Sequence, residues 1–158
     1  MKNLKKFVYS LSLIEWTWRL EEVHAVMMQL GLVEVKRVSG RNDYQHECGW
    51  ELNVYHENSE CFAIEINLEV FLETDSLDIV AYHNKRDEFY HKFMYYTKEL
   101  ESVIGKPAFS DGAAARGFPH DQEAAWLSLW KVQNARLMIQ QKHEDRELPF
   151  RVVLVIAP

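Results

Sequence analysis

The stretch 61–72 alternates with a period of two: Phe62, Ile64, Ile66, Leu68, Val70 and Leu72 take one set of positions, and Ala63, Glu65, Asn67 and Glu69 the other. Successive side chains of a strand point to opposite faces, so such a pattern describes a strand with one apolar face and one polar face. The apolar face must be covered, and the polar face can meet water. This strand is expected to lie in a sheet whose core face includes Phe62, Ile64, Ile66 and Leu68.

The cover is legible in two helical patterns. Leu13, Trp16, Leu20, Val23, Met27 and Leu30 recur at steps of three and four, which places them on one helical face. That helix starts at Ser12 with Glu15 in a capping box, or at Thr17 if the residues from Phe7 pair as a strand, and Gly31 closes it. A second helix is predicted over 87–104 from Tyr90, Phe93, Met94, Thr97, Leu100 and Ile104, with Gly105 and Pro107 as stop signals. Leu20, Val23, Met27, Phe93, Met94 and Leu100 are the residues expected to cover the sheet.

Further strands are predicted at 32–38, 50–55 and 77–83, and at 126–132, 136–142 and 150–156, with 133–135 as a tight turn around Asn134. The expected order is α-ββββ-α-βββ, without the strand-helix alternation of a parallel sheet. The fold class is therefore α+β, an antiparallel sheet with two helices packed mainly on one face. Its 158 residues show no internal repeat and no linker, as expected for a single domain over 1–158.

Charge narrows the function. Eighteen Lys and Arg stand against 24 Asp and Glu, a formal charge of −6, which argues against nucleic acid and for a basic protein partner. Lys2, Lys5 and Lys6 precede an apolar stretch, yet Ser10, Ser12, Glu15 and Arg19 interrupt it as they would not interrupt a signal peptide. No run is long and apolar enough to cross a membrane. Two cysteines, Cys48 and Cys61, are too few for a disulfide scaffold, so the expected location is the cytoplasm.

Catalytic patterns are missing from the sequence. His46, Cys48 and Cys61 are zinc-capable types without a paired spacing, and they read as a polar turn with Asn42 and Asp43 and as small packing residues. His83, His91, His120 and His143 each have an acidic residue nearby, which leaves a small hydrolase using His91 or His120 with a carboxylate as an alternative. No nucleophile elbow, metalloprotease motif or phosphate loop is present. Neither a metal nor an organic cofactor is expected. The segment 106–125 has no clear periodicity and is long for a connection, which marks it as functional or mobile.

The polar side of the sheet supplies the candidate surface. A hairpin pairing Val54 with Phe62 sets Glu51 opposite Glu65 and Asn53 opposite Ala63. With Glu69, Asp78 and the aromatic Tyr55 and Tyr82, it makes an acidic surface with aromatic anchors, suited to a basic partner. These six residues are the predicted partner-binding set. The segment around Phe109, Arg116 and Phe118 is the next candidate.

A helix ending in Leu30-Gly31, a strand-rich middle, a helix running into Ile104-Gly105-Lys106-Pro107 and a terminal set of strands resembles small bacterial immunity proteins of toxin-immunity systems. The likeness covers most of the chain as organisation. It implies a cytoplasmic protein that protects its host by binding a cognate toxin domain. Short acidic α+β secretion chaperones are also similar, although they close with a helix where 150–156 reads as a strand.

Overall fold

The computed structural model describes residues 2–143 and 147–158. Helices α1 (Lys2–Ser12) and α2 (Leu20–Gln29) precede strands β1 (Leu32–Val38), β2 (Arg41–His46), β3 (Glu51–Glu57) and β4 (Glu60–Phe71). A 3-10 turn, Thr74–Ser76, leads into α3 (Ile79–Ile104), which is followed by β5 (Phe109–Gly112), β6 (Trp126–Val132), β7 (Ala135–Lys142) and β8 (Phe150–Ala157). The strands form one antiparallel sheet in the order β1-β2-β3-β4-β8-β7-β6-β5. The α+β class and the antiparallel sheet agree with the sequence; the order and the helix count differ. No helix of the described residues is long and apolar enough to cross a membrane.

Of the helical pattern running from Leu13 to Leu30, only Leu20–Gln29 forms a helix, starting later than either Ser12 or Thr17, and the residues from Phe7 belong to the helix α1 rather than to a strand. Leu4, Phe7, Val8 and Leu11 bury one face of α1, and Val23 and Met27 bury α2, but residues 13–19 between them are irregular. The Asn134 side chain holds that link open. Its Oδ1 accepts from the Trp16 amide at 2.9 Å and its Nδ2 donates to the Trp16 carbonyl at 2.6 Å, standing in for a backbone partner. The same Asn134 lies in the turn predicted over 133–135, which takes only two residues because Val132 already pairs with Ala135, and Gln133 takes φ 49°.

The strand predicted over 77–83 is instead the approach to α3 at 77–78 and the start of that helix from Ile79. Asp78 caps that helix by accepting from the Ala81 amide at 2.8 Å, an arrangement that favours helix over extended chain. Two strands escaped prediction. In β2, Asn42, Asp43 and His46 are strand residues rather than a polar turn, because Tyr44 anchors an otherwise polar strand in the core. In β5, Phe109 pairs with Leu129 at the sheet edge.

All three helices bury into the same sheet face, where Leu11, Met27, Phe89 and Phe93 meet Leu52, Ile64, Ile66, Leu137 and Leu154. On the opposite face, Phe109, Phe118 and Ala124 cover a second cluster of Leu127, Leu129, Met138, Val153, Val155 and Ala157. That apolar cover packs on the β5-β6-β7-β8 end, and among the described residues the 113–125 segment meets the outer face of β4 at a cleft beside Ala63 and Glu65.

Candidate functional site

The outer face of this half of the sheet is shaped by where β3 and β4 fall out of step. Asn58 and Ser59 turn the hairpin with φ 49° and 69°, the left-handed pair of a tight two-residue turn. From there His56 opposes Cys61 while Tyr55 opposes Ala63, so Phe62 is an extra residue on β4. The bulge turns Phe62 out of the core to 54% exposure, against the expectation of a core position. Its ring lies 6.3 Å from that of Tyr55. Burial, with the nearby Glu65 carboxylate, pushes the Tyr55 phenol above its usual pKa.

The two-residue turn and the bulge each shift the register by one, from the expected Val54–Phe62 pairing to Val54–Ile64. Asn53 then faces Glu65, and Glu51 faces Gln45 on the other side, so the repulsive Glu51–Glu65 pair does not form. Glu65 is only 8% exposed. Its carboxylate is bound by the Lys142 ammonium and lies 3.8 Å from the Arg151 guanidinium. Removing a partner from such a pair leaves a buried charge uncompensated, so Glu65 is part of the framework of this face rather than a free acidic contact.

A cleft of about 630 Å³ opens beside it, with Ala63, Val155 and Ala157 as a low floor, Phe62 on one side and the 120–123 stretch on the other. Asp121 in that stretch grips Arg136 through two hydrogen bonds of 3.0 and 2.6 Å. These bonds hold the Asp121 carboxyl down at about 2. The Gln140 amide donates to Gln122 Oε1 at 2.7 Å, a second tether for the same segment. Segment 106–125 is therefore partly strand β5 and partly a strap, and Phe109 and Phe118 pack edge to face beneath it at 6.0 Å.

On its hairpin side, Phe62 borders a groove of about 630 Å³ with Leu20, Gly40, His56 and Glu57. Leu20, Asn58 and Ser59 are shared with a smaller groove of about 340 Å³ lined by Arg19, Glu21, Glu22 and Glu60. Of four exposed carboxylates here, Glu57 lines the groove that Phe62 borders, and Glu21, Glu22 and Glu60 line the adjoining one together with Arg19. Alternation along 61–72 places Phe62 with the core residues, and only the bulge brings it to the surface.

The predicted six-residue surface does not form as one patch. Glu51, Tyr55 and Glu65 share the outer face. Leu68 is a second bulge residue on β4, since Asn67 pairs with Val153 and Glu69 with Val152, and it rolls Glu69 to the helix side. There Glu69 accepts from Lys92 at 3.1 Å and from the Tyr96 hydroxyl at 2.9 Å. Asp78 is spent on the α3 cap, and the Tyr82 hydroxyl lies 2.5 Å from His143 Nε2.

The groups weighed for chemistry are dispersed. His46 stacks on Trp50 and its Nδ1 accepts from the Cys48 amide at 3.1 Å; Cys48 is exposed and Cys61 buried, its thiol pushed up to about 11 by burial. Among the described residues no group of three or more His, Cys, Asp or Glu side chains could hold a metal ion. His91 is exposed on α3 and His120 on the strap, and among the described residues neither ring hydrogen-bonds a carboxylate. Compared with known proteins, the chain matches no family model, no curated protein and no solved structure.

Proposed function

We propose that this chain is an immunity protein that neutralises a cognate toxin domain of basic character by direct binding, without chemistry of its own. The observation behind this reading is Phe62, turned outward by a bulge and seated between the acidic hairpin and the charged cleft. An aromatic side chain offers large apolar contact at low entropic cost, and surrounding carboxylates speed encounter with a cationic partner. The proposed contact set is Phe62 and Tyr55 with Glu21, Glu22, Glu57, Glu60 and Glu51. Glu65 supports it from below.

The test uses the product of the gene directly upstream of this one, where a toxin would be encoded, co-purified with the intact protein and titrated at rising salt. Association should slow as ionic strength rises. Phe62→Ala combined with Glu57→Lys and Glu60→Lys should weaken the complex by about 2 kcal/mol or more, roughly 30-fold, with the thermal midpoint unchanged. Unchanged affinity in that variant would place the contact elsewhere, and failure of the upstream product to bind would remove the immunity reading.

A further inference from the structure

We infer that the far end of β4 is a strand-addition site, and that its occupant is an extended segment of a protein partner bearing lysine or arginine. β3 pairs with β4 no further than Leu52 with Ile66. Beyond that point Asn67, Glu69, Val70 and Phe71 pair only with Val153, Val152, Arg151 and Phe150 of β8. Among the described residues no other backbone group hydrogen-bonds to 67–71. One edge of this short run is therefore open, on the side that β3 occupies earlier in the strand. Alternate residues of an antiparallel strand turn both N–H and C=O away from a given neighbour, so the open side presents donors and acceptors that an added strand can satisfy.

A groove beside this edge selects what is added. The bulge at Leu68 rolls Glu69 to the helix side, where it lines a groove of about 570 Å³ with Asp87, Glu88, Lys92, Tyr95 and Tyr96 of α3. A strand laid along 67–71 projects alternate side chains to that side of the sheet. Three carboxylates face one ammonium in the groove. Lys92 is engaged with Glu69 and Glu88 at 3.1 and 3.0 Å, and Lys85 holds Glu88 from outside at 2.6 Å. Among the described residues the one ion pair of Asp87 is with Arg86, at 3.6 Å, and both side chains are more than half exposed. Asp87 and the exposed Tyr95 thus offer a carboxylate and an aromatic face, the combination that receives a lysine or arginine side chain. On the other face Val70, 44% exposed, gives the intervening residues an apolar neighbour. The stretch 67–92 carries six carboxylates and three Lys or Arg, so this end repels a second copy of itself and steers a cationic chain.

The site lies at the opposite end of β4 from Phe62 and stands independently of the immunity reading. The probe is a synthetic peptide, Thr-Lys-Val-Lys-Val-Lys-Thr with blocked ends. It is compared with its glutamate version and with two forms N-methylated on alternate amides, one for each edge of the peptide. Amide NMR of the intact protein should show shifts confined to 67–71 and the adjoining side of α3, with slowed exchange at alternate amides of 67–71. One N-methylated form should bind as the parent does and the other at least about tenfold more weakly, because only one edge of an added strand pairs with β4. Asp87→Lys with Tyr95→Ala, both at exposed positions, should weaken the parent peptide at least about tenfold while leaving the thermal midpoint in place. Phe62→Ala should leave binding unchanged. Equal binding of the two N-methylated forms or of the glutamate peptide, shifts centred on β1, β5 or Phe62, full affinity in the groove variant, or absence of binding would each overturn the inference.

Discussion

Phe62 and Ile66 occupy the same strand four positions apart, and a single bulge gives them opposite roles. Ile66 sits opposite Leu154, buried beneath the helices, and its truncation leaves a cavity that rigid strands cannot close. Ile66→Ala should therefore cost about 2 to 4 kcal/mol. Phe62→Ala removes a ring that is more than half in water and should shift stability by less than about 1 kcal/mol. Urea unfolding of the two variants checks this; equal losses would mean that Phe62 is a core residue after all. Glu65 belongs with Ile66 in this respect, because a lysine in its place would confront Lys142 and Arg151.

Among the elements, the strap over the second cluster has the clearest chemical tether. Asp121 is ionised well below its ordinary carboxylate range because Arg136 donates two hydrogen bonds to it. A pKa depressed in the folded state means that the contribution is fully present above the ordinary value of 3.8 and is lost as pH falls through about 2. The pair is partly exposed, so it stabilises the fold by no more than about 1 kcal/mol, and its effect is local. Carboxyl-carbon NMR should show Asp121 titrating near 2 in the wild type and near 3.8 in Arg136→Ala. The same variant should be cut faster by trypsin at Arg116, which is exposed on the strap. An unchanged titration would mean that Arg136 does not hold the segment.

At the scale of the molecule, β8 is the hinge between the two apolar clusters. Val152, Leu154 and Ile156 point into the helix-covered core, and Val153, Val155 and Ala157 into the strap-covered one. Strands buried on both faces open only with global unfolding, whereas β1 has a free edge, a bulge at Val35 and exposed Val33 and Val38. Amide exchange should accordingly be slowest at β8, β7 and the centre of β4, and fastest at β1 and β5. Protection of β1 equal to that of β8 would contradict this layering.

Much of this architecture could be read before any coordinates. Alternation in 61–72, the three-and-four spacing of 90–104 and the stop at Gly105-Lys106-Pro107 depend on local chemistry, and each marked a real strand, helix or boundary. The unbroken apolar run 152–157 also held the signal of a strand buried on both faces, and hence of a cover over the second face. The candidate site was legible only in kind, as an acidic surface with an aromatic anchor on the open side of the sheet. Its location was not. Bulges at Phe62 and Leu68 are set by the Asn58-Ser59 turn and by pairing with β3 and β8, partners distant in sequence, and each exchanges the faces of the residues beyond it. Local composition determined which segments could be strands and helices; long-range register decided which side chains met solvent, because a period of two loses its phase at every inserted residue.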